Sequence, residues 1–229
     1  MSRVSDSPLE IVFFDIGGVM YDDTIYARAM HTALRELGGS FTDAEFDDAY
    51  RAARMAQAGS FRGLLARRFL GPDADMGALE AEASKHWAYP HEALHDDVRP
   101  CLDALAGRYR LGIIANQPSA VRDAMRRDGL EGYFDVWGVS DDVGLEKPDP
   151  ALFVHVLKEA GVEPQMSVMV GDRLDYDVRP AKAAGMHAVW VLRGEAPDDP
   201  TPVQLAEADM SIRGLNELAS ALGALEVTS

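Results

Sequence analysis

Short apolar runs recur along the chain: EIVFFDI (10–16), RLGIIAN (110–116), FDVWGV (134–139), MSVMVGD (166–172) and HAVWVL (187–192). Each is compact, rich in β-branched or aromatic residues, and apolar at nearly every position rather than at every second one. That pattern suits strands buried on both faces of a parallel sheet. Between most of them lie helices with readable ends. PSAVRDAMRRDG opens on proline and closes on Gly129, and DPALFVHVLKEAG opens on Asp149–Pro150 and closes on Gly161. The alternation predicts an α/β fold with a doubly wound, mainly parallel, Rossmann-like sheet.

One interval breaks the rhythm. From about residue 22 to 96 only helical patterns occur. TIYARAMHTALRELG is followed by TDAEFDDAYRAARMAQAG, with Thr42 and Glu45 in capping-box spacing, and DADMGALEAEASKHWAY follows Pro72. An insert of this size predicts a smaller all-helical cap domain over 21–96, with 1–20 and 97–229 forming a discontinuous core. A chain of 229 residues with 47% hydrophobic content can bury both.

Charge and cysteine content remove several function classes. The net charge of −16, with no Lys/Arg-rich run, argues against nucleic acid and anionic membrane surfaces as partners. Such a protein must attract an anion locally, through a metal, a lysine or helix N-termini. The lone Cys101 excludes an internal disulfide framework and a multi-cysteine zinc site. MSRVSDSPLE lacks an apolar leader core and no run approaches 18 apolar residues, so a soluble, cytoplasmic protein is expected.

In open parallel sheets, ligands bind beyond the carboxyl ends of the strands. Those ends carry Asp15, Asn116 and Asp172, with Lys147 in the loop GLEKPDPALF and Asp177 in GDRLDYD. Like charges gathered on one rim cost energy unless a cation lies between them. A hard divalent ion such as Mg²⁺ fits oxygen donors; Asp15 and Asp172 are its natural ligands, with Asp177 a more distant, water-mediated partner. Asp15 is then free to attack phosphorus and form an aspartyl phosphate, while Lys147 offsets charge on both groups.

FFDIGGVM, LGIIAN, EKPDPALF and VGDRLDYD, in that order, resemble the four motifs of the haloacid dehalogenase superfamily of phosphohydrolases, and the helical insert resembles the cap of its all-helical-lid subclass. The resemblance covers nearly the whole chain. It implies Asp15 as nucleophile and Lys147 as charge stabiliser. It further implies Asn116, Gln117, Gly18 and Lys147 around the phosphoryl group, and Mg²⁺ held by Asp15, Asp172, Asp177 and the carbonyl of Gly17. A small phosphorylated metabolite is the implied substrate.

Two positions depart from the family pattern. Gly17 stands where an acid usually protonates the leaving group and later activates water, and Ala115 stands where a hydroxyl usually meets the phosphoryl oxygens. Glycine still supplies the carbonyl, so the metal site can persist without the proton shuttle. Such a site is expected to favour good leaving groups. The amides of Asn116 and Gln117, or Ser119 at the next helix start, are candidates to cover the missing hydroxyl. Asp22 and Asp23 are candidate replacement acids, but the favoured reading is that one of them N-caps the first cap helix. Two alternatives stay open: a non-catalytic phosphate- and metal-binding regulatory protein, and a metal-free 2-haloacid dehalogenase using the same Asp15.

Other motifs read as structural. HEALH (91–95) matches a zinc-protease pattern, but Pro90 precedes it and no third ligand is evident. Arg62, Arg67 and Arg68 fit either a substrate-facing or a solvated helix face. Trp87, Trp137 and Trp190 are expected in the core or at an interface.

Overall fold

Ile11–Phe14 form β1, whose four residues are all buried, and the side chains divide by parity between two cores. Val12 and Phe14 join one cluster with Leu102, Met125 and Leu222, whereas Ile11 and Phe13 join another with Leu152, Phe153 and Ala181. This explains the unbroken apolar run, because a period of two between two buried faces leaves no polar position.

The computed structural model describes residues 9–87 and 89–228, so residues 1–8, where the sequence was read for a leader, lie outside it. After β1 come α1 (Thr24–Glu36), α2 (Asp43–Ala56), α3 (Phe61–Phe69), α4 (Met76–Ala83) and α5 (Val98–Leu105). The chain continues through β2 (Arg110–Ala115), α6 (Val121–Arg127), β3 (Val136–Val139), α7 (Ser140–Val143) and α8 (Pro150–Ala160). It ends with β4 (Ser167–Gly171), α9 (Arg179–Ala183), β5 (His187–Val191), α10 (Pro202–Leu205), β6 (Met210–Ile212) and α11 (Leu218–Thr228). All strand pairs are parallel, in the order β3-β2-β1-β4-β5-β6. The connection reverses between β1 and β4, which puts the ends of those two strands side by side at the switch point. The edge strand β6 has three residues, too few for a periodicity signal, and the sequence reading lacked it.

Helices α1–α4 pack around their own apolar cluster, which includes Met30, Leu34, Phe46, Leu65 and Leu79. The capping box forms as the sequence predicts: Thr42 Oγ1 accepts from the Glu45 amide (3.2 Å) while the Thr42 amide donates to Glu45 Oε2 (2.7 Å). Asp75 caps α4 in the same way, accepting from the Ala78 amide at 3.0 Å. No helix among the described residues is long and apolar enough to cross a membrane.

Candidate active site

Asp15 follows β1 and its Oδ1 accepts from the next amide, Ile16, at 2.8 Å, which orients the carboxylate over the turn. Lys147 Nζ lies 3.0 Å from Asp15 Oδ1 and 2.6 Å from Asp177 Oδ1, with only 3% of its side chain exposed. Asp177 is wholly buried, and its other oxygen accepts from the Arg173 amide at 3.0 Å. Its place is therefore beside the lysine, which it anchors. Asp172, after β4, accepts from the Glu195 amide at 2.6 Å, and its carbonyl accepts from the Trp190 indole at 2.8 Å. Trp190 is thus a core residue that also braces the site.

The charge balance is uneven. Burial, followed by the charge of Asp177, pushes the Asp15 carboxyl up to about 6 even with Lys147 pulling the other way. Asp172 is held well above the carboxylate range by burial, then by Asp23, Asp177 and Asp15. Asp23 is held up likewise by burial, then by Glu195 and Asp15. Burial alone would depress Lys147, but Asp15 and Asp177 together outweigh it and raise it. One lysine does not satisfy so many carboxylates. Oxygen atoms of Asp15, Asp172 and Asp177 lie within 4.8 Å of one another, an all-oxygen set suited to a hard divalent cation.

Two successive glycines make room for this. Gly18 has φ +66°, and a Cβ there would meet Asp172 Oδ2 at 2.2 Å and Asp23 Oδ2 at 2.9 Å. Any side chain at position 18 would expel the carboxylates.

Several predicted phosphate-binding groups are engaged elsewhere. Asn116 Nδ2 donates to the Lys147 carbonyl and its Oδ1 accepts from the Lys147 amide, both at 2.7 Å. Its side chain positions the lysine loop, and as Asn116 also lines the cleft, the second Nδ2 hydrogen is what its amide has left to offer there. The Gln117 amide donates to Ser140 Oγ at 3.0 Å, and its Oε1 accepts from the Tyr89 hydroxyl. Only its Nε2 faces the turn, 3.2 Å from where a Cβ of residue 17 would stand. Ser119 hydrogen-bonds Asp142 at the surface and does not cover for Ala115. Ser140, which the sequence reading missed, lines the cleft, but its hydroxyl is taken up by the Gln117 backbone, accepting from the amide and donating to the carbonyl at 3.2 Å.

The cleft measures about 320 Å³ and is walled on the other side by the helical segment, including Tyr26, Arg62, Glu80 and Trp87. Trp87 lines the cleft from the helical side, partly buried against the core cluster and edge-on to Tyr26 and Tyr89, an interface position of the kind expected. Arg62 lines the cleft 3.4 Å from Glu80, while Arg67 and Arg68 are exposed. Arg173 and Glu195, also missed, pair at 2.7 Å in the cleft wall. The HEALH segment holds a single turn of 3-10 helix over His91–Ala93, with His91 Nδ1 2.9 Å from Asp128, so it forms no zinc face.

This fold and this ordering of acids at its strand ends define a class. The family model for haloacid dehalogenase-like hydrolases matches residues 9–185, and the chain belongs to that family. Among curated relatives, a phosphoserine phosphatase of Thermus thermophilus is 34% identical over 200 residues, 84% of this chain and 76% of that one. A glyceraldehyde 3-phosphate phosphatase of Methanopyrus kandleri is 29% identical over 202 residues, 83% of this chain and 87% of that one. A crystal structure of a HAD phosphatase from Thermococcus onnurineus superposes with a TM-score of 0.62 at 30% identity, covering 94% of this chain and 98% of that one.

Proposed function

We propose that the protein is a magnesium-dependent phosphatase that hydrolyses a small phosphomonoester through a phosphoryl group carried on Asp15. The observation that supports this best is the Asp15–Lys147 pair at 3.0 Å inside a cluster of buried carboxylates that outnumber the one lysine among them. Asp15, Asp172 and the Gly17 carbonyl would hold the ion, with Asp177 farther out beside Lys147. When bound, Mg²⁺ would screen the carboxylates from the phosphoryl group and polarise its oxygens.

The chain's own residues supply the remainder. Asp15 is the attacking oxygen, oriented by the Ile16 amide. Lys147, held by Asp177 and by the Asn116 clamp on its backbone, faces the developing negative charge. Gln117 Nε2 is the donor offered to the phosphoryl oxygens, whereas the Gly18 amide, expected there from the sequence, already donates to the Tyr21 carbonyl at 2.9 Å. Residues 21–96 act as the cap, and a cleft of about 320 Å³ suits a small metabolite rather than a polymer.

The test is phosphate release from p-nitrophenyl phosphate with Mg²⁺ and with chelator, beside Asp15→Asn. Turnover abolished by either change is expected. Turnover that survives both would overturn the reading.

A further inference from the structure

We propose that Asp23, at the start of α1, is the acid–base residue of this site and occupies the space that the missing side chain of Gly17 would have filled. The inference rests on the phosphatase reading above and adds a residue to it.

Three observations carry it. The first is space. A Cβ built on Gly17 would lie 3.0 Å from Asp23 Oδ1 and 3.6 Å from Oδ2, so the Asp23 carboxylate already stands where an acid at 17 would extend. The site has room for one acid at that point, from position 17 or from position 23. The second is availability. Asp23 is the N-cap residue of α1 yet makes no side-chain capping bond. Capping falls to Asp22, which accepts from the Thr24 amide (2.9 Å) and from the Thr24 hydroxyl (2.7 Å). The third is access, since Asp23 lines the same cleft as Asp15, Lys147 and Asp172.

The reaction balances with this one residue added. As Asp15 Oδ bonds to phosphorus, the bond from phosphorus to the ester oxygen breaks, and that oxygen takes the Asp23 proton to leave as an alcohol. Asp23, now a carboxylate, takes a proton from water as the water oxygen attacks phosphorus. The bond from phosphorus to Asp15 breaks, inorganic phosphate departs, and both acids return to their starting states. Because Asp23 opens α1, the proton donor belongs to the helical insert rather than to the sheet that carries the nucleophile.

Leaving-group dependence distinguishes this role from a structural one. With Mg²⁺ present, Asp23→Asn is expected to lose about 10²–10⁴-fold on alkyl phosphates, the usual worth of general acid–base help, and far less on p-nitrophenyl phosphate, whose leaving group needs no proton. Gly17→Asp alone should be impaired by collision with Asp23. The swap Gly17→Asp/Asp23→Gly should recover alkyl phosphate turnover. An equal loss on both ester types in Asp23→Asn, no loss on either, or a folded swap no better than Asp23→Asn would each overturn the assignment. If the wild type fails on p-nitrophenyl phosphate, or Asp15→Asn retains turnover, the phosphatase reading falls and this inference with it. Discrimination lost at Asp23 alone sinks only the inference.

Discussion

Asp128 is 4% exposed and collects the Tyr21 hydroxyl (2.7 Å), Arg127 (2.9 and 2.7 Å) and His91 (2.9 Å). Tyr21 and His91 stand at the two ends of the helical insert, so one carboxylate ties both ends to the close of α6. The Arg127 hydrogen bond, then those of Tyr21 and His91, hold the Asp128 carboxyl well below its ordinary 3.8 against the opposing effect of burial. A carboxyl lowered by folding adds stability that is fully present above that ordinary value and is lost as pH falls below it. Asp128→Asn is therefore expected to cost about 1–3 kcal/mol at neutral pH and to flatten the acid limb of stability. Urea melts from pH 7 to pH 2.5 check both, and an unchanged acid limb would refute the account.

At the scale of elements, the end of α2 latches the insert to the core through Gln57. This residue is 1% exposed and adopts a left-handed conformation (φ 45°) that favours glycine. Its Nε2 donates to the Glu195 carbonyl (2.8 Å) and its Oε1 accepts from the Leu174 amide (2.8 Å). Its own carbonyl accepts from Arg179 (2.8 Å). The side-chain bonds offset the backbone cost of the left-handed turn, of order 1 kcal/mol. Gln57→Ala loses the bonds and keeps that cost, whereas Gln57→Gly loses the bonds and removes it. Thermal melts are expected to rank wild type above Gln57→Gly, and Gln57→Gly above Gln57→Ala by about 1 kcal/mol. Hydrogen exchange at the Leu174 amide should rise in both variants. Equal melting temperatures for the two would show that the conformation carries no cost.

For the whole molecule, the crowding of Asp15, Asp23, Asp172 and Asp177 near one lysine means that, on the magnesium-dependent reading proposed above, stability and metal binding would be linked. Mg²⁺ at 100 times its Kd would then be expected to stabilise by about 2.7 kcal/mol, or roughly 5–10 °C for a chain of this size. Asp172→Asn replaces a carboxyl whose ionisation burial and its acidic neighbours oppose, while an amide oxygen can still accept from the Glu195 amide. Scanning calorimetry should find this variant more stable than metal-free wild type and unresponsive to Mg²⁺; a full response would remove Asp172 from the ligand set. What the sequence by itself determined was the sheet, through apolar runs that need two buried faces, and the order of Asp15, Lys147 and Asp172 on its rim, through their places at strand ends and in one loop. These signals are local in the chain. Only the tertiary structure decided that Asn116 clamps the backbone of Lys147, 31 residues away, that Ser119 turns to Asp142, and that Arg173 and Glu195 meet in the cleft wall. It likewise decided which of two adjacent aspartates caps α1 and which reaches the gap beside Gly17. Adjacent residues share the same local pattern, and only the packing of the helical insert against the sheet distinguishes them.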